Sequence, residues 1–360
     1  MKKVLLAVCL SMACFAQLQA IPAYPRQIKM LVNGREIPVR LFGDEHAKRM
    51  ETHDGYTIVQ NDKEEWVYAV LDAAGHLSPS SYQVGKDSPD VAGFMASLPR
   101  HLKDQSQTAR QKARQIARQA QRRRSTAQPA IGQRRILAIL VEYTDQKMVK
   151  SNDDFDRLFN EIGYSDDQAQ GSVRDYFYRS LYEQLTLSCD VYGPYKLSQR
   201  MKYYGENEGL DGDDKRPEEM FEEAIQKVAA ETDLGVYDGD NDGYIDNVHI
   251  IYAGYGEEEG GPTDAVWAHE ATFYEPYKIQ NQMIDRYSCA SELRDNRGEG
   301  ISRIGSHCHE IGHALGALDY YDVDYTDGGE YEGTGDWDIM ASGSWNNDGV
   351  TPADLNPYVK

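Results

Sequence analysis

Two histidines four residues apart with a glutamate beside the first, His309-Glu310-Ile311-Gly312-His313, are the residues of this chain best suited to chemistry. Positions four apart share one face of a helix, so both imidazoles can meet a single zinc ion with Glu310 next to them. A pattern this short arises by chance, so the surrounding helix has to support it. At roughly 100° per residue, Ile304, Cys308, Ile311 and Leu315 fall in a narrow apolar stripe, with His309 and His313 roughly opposite. One face can then pack on a core while the other looks into a cleft. The plainer alternative, two surface histidines on an ordinary helix, fits that arrangement poorly. The continuation Gly316-x-x-Asp319 adds to the case, because glycine tolerates positive φ and lets a helix stop and its chain turn back. Asp319 is the first group after the turn that could complete the ligand set. Asp322, Asp324, Glu330 and Glu332 follow closely and are its rivals. Three protein ligands would leave one zinc position for water, whose proton Glu310 could take as general base while zinc polarises a peptide carbonyl. His307 points roughly 140° from the mean direction of the pair by the same helix arithmetic. It is expected to be a supporting or surface residue, and His249 and His269 to be structural.

A second constellation is Asp238-Gly239-Asp240-Asn241-Asp242-Gly243-Tyr244-Ile245-Asp246. Oxygens at alternating positions with glycine at the sixth are the spacing of a calcium loop. His249 stands where an EF-hand has its glutamate, and a strand follows instead of a helix. The expectation is a calcium-stapled loop through Asp238, Asp240, Asp242 and Asp246; a metal-free Asx-rich turn is the plain alternative.

The elements that must position these groups read as an α/β (α+β) peptidase-type domain over residues 136–360, with a central sheet and an active-site helix. Ile136 to Val141 is a buried strand by its lack of polar alternation, and Val248 to Ala253 is another. Asp153–Ile162, Ser172–Leu181 and Pro217–Thr232 are helices, the first two opened by capping-type residues. Ahead of them, residues 21–99 form a small β-rich segment. Ile28 to Leu41 alternates around Asn33-Gly34, a hairpin signal, and Tyr56–Val59 with Trp66–Val70 form a second hairpin. Residues 100–135 carry eleven arginines and lysines against the single acid Asp104 and lack an apolar stripe. That stretch reads as an exposed linker where an activating protease would cut, after Arg124 or Arg135.

Residues 1–20 have the form of a secretory signal: Lys2 and Lys3, an apolar run from Val4 to Ala16, and a small residue at Ala20. A lipoprotein signal at Cys14 fits less well. No later run is long enough to span a membrane. The net charge of −21 and pI near 4.8 argue against nucleic acid as partner. Cys189, Cys289 and Cys308 match no cysteine-zinc spacing; at most one disulfide joins two of them.

The run His309-Glu310-Ile311-Gly312-His313-Ala314-Leu315-Gly316-Ala317-Leu318-Asp319, followed by Gly335-Asp336-Trp337-Asp338-Ile339-Met340, resembles the metzincin-like immune inhibitor A family of secreted bacterial metallopeptidases. Ser172-Val173-Arg174-Asp175-Tyr176, Leu185-Thr186-Leu187 and the stretch from Gly43 to Tyr56 resemble that family too. The resemblance implies a zincin-type fold and a Met-turn at Met340 under the metal. It also suggests that Asp44 in Phe42-Gly43-Asp44 acts as an aspartate latency switch. Typical metzincins have His where this chain has Asp319. Such relatives also run well past the position of Lys360, so the chain is either a fragment or has an unusually short lower half. The expected whole is a secreted zinc endopeptidase zymogen acting on proteins or peptides. A secreted binding or adhesion module with a degenerate metal site, and a zinc hydrolase of another bond, are the rivals. A structural site has no use for a base such as Glu310, and casein zymography separates the three.

Overall fold

The computed structural model describes residues 16–106, 131–210, 212–323 and 331–359. The apolar run before Ala16, most of the basic stretch with Arg124, and the rivals Asp324 and Glu330 lie outside the described residues. The strands are β1 (Ala16–Ala20), β2 (Ile28–Val32), β3 (Arg35–Phe42), β4 (Arg49–Thr52), β5 (Thr57–Gln60), β6 (Trp66–Leu71), β7 (Leu77–Gln83), β8 (Gly132–Glu142), β9 (Leu185–Lys196), β10 (Val248–Tyr255), β11 (His269–Ile279) and β12 (Gln282–Leu293). The helices are α1 (Pro89–Ser97), α2 (Asn152–Asn160), α3 (Val173–Ser180), α4 (Met201–Gly205), α5 (Pro217–Ala229) and α6 (Ile304–Ala314).

β2 to β7 form an antiparallel meander in chain order. Its first turn is the expected Asn33-Gly34 hairpin, with Val32 paired to Arg35. The second sheet has the order β1-β11-β12-β10-β8-β9. β9, β8, β10 and β12 run parallel, and β11 and then β1 add to the edge antiparallel.

β8 has no polar alternation because both of its faces are covered. Leu137, Ile139 and Val141 pack against α5 residues such as Met220 and Ile225. Ile136, Ala138 and Leu140 pack against Phe155, Tyr176, Cys308 and Ile311 from α2, α3 and α6. The strand starts at Gly132, four residues earlier than its apolar run suggested, so Arg134 and Arg135 lie within the sheet. The sequence boundary at residue 135 therefore falls inside a strand. α2 and α3 both open on complete capping boxes, Ser151 with Asp154 and Ser172 with Asp175. The three cysteines are buried and unpaired, so the disulfide that their number allowed is not formed.

Candidate metal centre

α6 carries the site. Ile304, Cys308 and Ile311 enter the core with Met340 and Ile339, as the apolar stripe required. The helix ends where expected: Gly316 has φ +100, and Ala317 N–H reaches back to Gly312 O. That turn brings Asp319 under the histidines. Asp319 Oδ1 is 3.3 Å from His309 Nε2 and 3.2 Å from His313 Nε2, and the two Nε2 atoms are 3.1 Å apart. Asp322 and Glu332 are not part of this group.

The tautomers follow from the outer nitrogens. His309 Nδ1 is 2.6 Å from Ile339 O and His313 Nδ1 is 3.0 Å from Ala317 O. A carbonyl only accepts, so each Nδ1 carries the proton and each Nε2 presents a lone pair. Two lone pairs and a carboxylate oxygen that has no hydrogen-bond donor then face one another, the imidazoles fully buried and the Asp319 side chain 4% exposed. Without a cation such a trio is repulsive. Zinc bonds of about 2.0–2.1 Å at tetrahedral angles put ligand atoms about 3.3 Å apart, and this trio has that spacing. Burial opposes ionisation of Asp319, and it takes positive charge at the facing imidazoles or a metal ion to hold its carboxyl down. Met340 is fully buried beneath α6. Its Sδ would lie 3.0 Å from a Cβ on Gly312, so glycine there lets the sulfur approach the helix backbone.

Glu310 lies beside the trio. Burial pushes its carboxyl well above the usual range, Ile21 N–H pulls the other way, and Asp319, Glu45 and Glu258 push it further up. Oε1 accepts Ile21 N–H at 2.9 Å, and Oε2 has no partner among the described residues. The histidine face does not look into an open cleft as the sequence led one to expect, because residues 16–24 lie across it. β1 pairs antiparallel with the edge strand β11, Ala20 opposite His269. Tyr321 O–H donates to Ala20 O at 2.6 Å, Trp267 indole N–H to Ile21 O at 2.9 Å, and Trp345 indole N–H to Pro22 O at 2.8 Å. One peptide bond, Ala20–Ile21, thus has its carbonyl on Tyr321 and its nitrogen on Glu310. Ile21, Tyr321, Trp267 and Trp345 escaped the sequence reading; only the closeness of Tyr321 to Asp319 in the chain hinted at any of them.

Other expected residues take different places. Asp44 is buried, with Oδ1 accepting His46 N–H at 2.9 Å and Oδ2 facing Tyr321 O–H at 3.4 Å. It neighbours the site through Tyr321 and is not in the ligand trio. His307 is fully buried, not a surface residue. It joins His249 Nε2 at 2.9 Å and Ser302 Oγ at 2.7 Å on the core side, as its helical angle required. In the acidic loop, carboxylate oxygens of Asp238, Asp240 and Asp242 come within 4.8 Å of one another. Asp246 turns instead to Gly239 N–H at 3.1 Å and Arg134 at 3.3 Å.

Comparisons with known proteins identify the family. Residues 126–360 match the family model of the immune inhibitor A peptidase M6 catalytic domain. The chain is similar to the pre-pro-metalloprotease PrtV of Vibrio cholerae serotype O1, 26% identical over 275 residues, covering 64% of this chain and 30% of that protein. It is similar also to immune inhibitor A of Bacillus thuringiensis subsp. alesti, 28% identical over 270 residues, covering 63% of this chain and 39% of that one. The chain thus spans about a third of the length of these curated relatives. A family match that takes in five strands of the sheet, the His309–His313 helix and the turn beneath it makes this chain a member of the immune inhibitor A, or M6, peptidases.

Proposed function

We propose that the chain is a secreted zinc endopeptidase made as a zymogen, with its own N-terminal residues lying in the substrate cleft. The observation that carries this is the trio of His309 Nε2, His313 Nε2 and Asp319 Oδ1, three ligand atoms at zinc-ligand spacing. These residues would hold zinc, which when bound lowers the pKa of a water and polarises a carbonyl. Glu310 is the group to receive the proton of the attacking water and pass it to the leaving nitrogen. Its burial suits that task, since a base with a raised pKa both takes and returns a proton near neutral pH. Tyr321 would hold the carbonyl oxygen as it gains charge, as it holds Ala20 O. The free edge of β11 would align a substrate backbone by strand pairing, as it aligns β1.

Latency is supported by the same contacts. Residues 21–24, which a signal cut after Ala20 would leave in place, fill the place a substrate would need, and Glu310 is engaged by Ile21. Signal cleavage after Ala20 would leave the α-amino group of Ile21 against Glu310. The β-rich module of residues 21–99 holds this segment down, for example through Ala23 N–H to Gly43 O at 2.8 Å. Asp44 would support latency through Tyr321 and not as a metal ligand. Maturation would fall before β8, within the basic stretch, because a cut after Arg135 would open the sheet. Among the described residues no helix is long and apolar enough to cross a membrane. The name pre-pro-metalloprotease borne by one relative has the same order of segments. Asp238, Asp240 and Asp242 would bind calcium as a structural staple.

The test is Glu310→Gln in the secreted chain. Zinc content should stay at one per chain while casein clearing on a zymogram falls about 10²–10⁴-fold. Clearing within a few-fold of wild type would remove Glu310 from the mechanism.

A further inference from the structure

Lys48, in the loop between β3 and β4, is the one cation of the N-terminal module that enters the peptidase domain and is itself buried there among the described residues. Its Nζ is 2.6 Å from Glu257 Oε2, 2.8 Å from Asn207 Oδ1 and 3.4 Å from Asp214 Oδ1. It also sits 5.1 Å from the centre of the Trp267 ring. All four partners belong to the peptidase domain, which orients the three polar ones through its own groups, while the Trp267 ring also packs into the core of the N-terminal module. Asp214 Oδ2 accepts Trp267 N–H at 2.9 Å. Asn207 Nδ2 donates to Thr263 O at 2.9 Å and to Glu257 Oε1 at 3.2 Å. Glu258, fully buried beside Glu257 in the chain, has one carboxylate oxygen without a partner among the described residues. A cavity of about 640 Å³ lined by Lys48, Asn207, Glu257, Thr263 and Trp267 opens along the same seam.

This socket adjoins the cleft. Trp267, whose ring faces the ammonium, also donates its indole N–H to Ile21 O, and Ile21 N–H is the group on Glu310. The socket therefore flanks the residue that follows the peptide bond held by Tyr321 and Glu310. Removing the module would take away the ammonium that Asp214 and Glu257 contact and open their side of the seam, leaving a docking place for another cation beside the cleft. A simple latch between module and domain would need only one rim acid. It would not need acceptors already aimed by the domain's own backbone, nor a shared wall with the cleft.

We infer that Asp214, Glu257, Asn207 and Trp267 form a substrate subsite for a lysine side chain on the C-terminal side of the cleaved bond, and that Lys48 occupies it as a surrogate in the precursor. The inference rests on the peptidase reading above. Burial raises the carboxyls of Asp214 and Glu257 to about 6 and about 7 despite the partly offsetting Lys48. The socket is thus costly to leave charged and empty.

Two measurements test it. In the full chain, Lys48→Ala leaves the socket lined but vacant, and Lys48→Met serves if the alanine variant does not fold. n-Butylammonium should raise its melting temperature saturably where n-butanol does not, and should fail to do so when Glu257→Gln is added. No saturable amine effect would overturn the pocket. The second measurement uses zinc-loaded protein recovered after secretion and maturation of the full chain. Lysine is scanned through the positions after the cleaved bond of a casein-derived peptide, with methionine as the isosteric control. At one position lysine should raise kcat/KM over methionine by about tenfold or more, the value of a desolvated charge-assisted hydrogen bond. Glu257→Gln should bring that ratio toward one. Equal rates for lysine and methionine at every position, or an unchanged ratio in Glu257→Gln, would overturn the subsite while leaving the peptidase reading intact. Failure to cleave any peptide with zinc bound would sink both.

Discussion

At the scale of single residues, the site divides into what a helix repeat reveals and what it hides. His309, Glu310 and His313 could be read because their spacing and the apolar stripe of Ile304, Cys308 and Ile311 belong to one helix. Asp319 could be read because Gly316 announced the turn, and φ +100 at that glycine bears it out. Zinc should be lost in Asp319→Ala and retained in Asp322→Ala and Glu332→Ala. Zinc content of the purified variants decides this, and retention at wild-type affinity in Asp319→Ala would move the ligand elsewhere. Tyr321 was invisible in the sequence because its role depends on meeting Ala20, 301 residues away. Tyr321→Phe removes one donor to the carbonyl oxygen without changing shape. It should lower kcat by about 10²-fold with a smaller change in KM, as loss of an oxyanion donor does. Equal effects on kcat and KM, or none, would reduce Tyr321 to a contact of the precursor.

At the scale of elements, local signals placed strands and helices well and their limits less well. Capping residues marked the starts of α2 and α3 to within a residue, whereas Gly132 to Arg135 lack apolar side chains and were assigned to the linker although they pair with Leu185 to Ser188. Backbone pairing, not side-chain pattern, carries the sheet there. The acidic loop shows the same division. Alternating oxygens foretold that Asp238, Asp240 and Asp242 converge, but the sequence could not show that Arg134 turns Asp246 aside. Calcium should raise the melting temperature of the full chain, and Asp240→Ala should abolish that shift. An unchanged shift in that variant would leave an acidic turn. The turn Glu257–Glu259 makes a separate prediction. Burial, then Glu258 beside it, lifts Glu259 to about 8, and burial lifts Glu258 to about 7. Asp295 and Arg303 are the other charged groups acting on Glu259. A carboxyl raised above its unfolded value of about 4.3 favours the folded state fully below that value, and the gain is lost as pH climbs through 7 to 8. This turn should therefore make melting temperature fall between about pH 5 and pH 8, and Glu259→Gln should flatten the slope. A slope unchanged by that substitution would mean other groups control it.

At the scale of the whole molecule, the fold is two sheets joined across residues 20–24 and the Lys48 loop. The first sheet ends in chemistry only by what it presses down: Ile21 on Glu310, Lys48 in its acidic socket and Tyr24 N–H on Glu258 O at 2.9 Å. A hairpin pattern over residues 28–70 gave the meander but no hint of that contact. Hydrophobic alternation reports which face is buried and not what buries it. The same limit explains why residues 16–20, read from the sequence as the end of a signal and expected only to be removed, turn up as β1 on the edge of the peptidase sheet. They pair with β11, Ile21 N–H donates to Glu310, and Tyr321, Trp267 and Trp345 donate to the carbonyls of residues 20–22. A free peptide of the sequence Ala16 to Tyr24 should accordingly inhibit the matured, zinc-loaded protein in competition with a casein-derived substrate. Replacing Ile21 by proline in that peptide deletes the N–H that Glu310 accepts and should weaken inhibition about tenfold, the value of a hydrogen bond to a charged or strongly polar group. Steady-state inhibition with both peptides reads this out. Non-competitive behaviour, or equal potency of the two peptides, would mean that the segment covers the cleft without using the substrate's contacts.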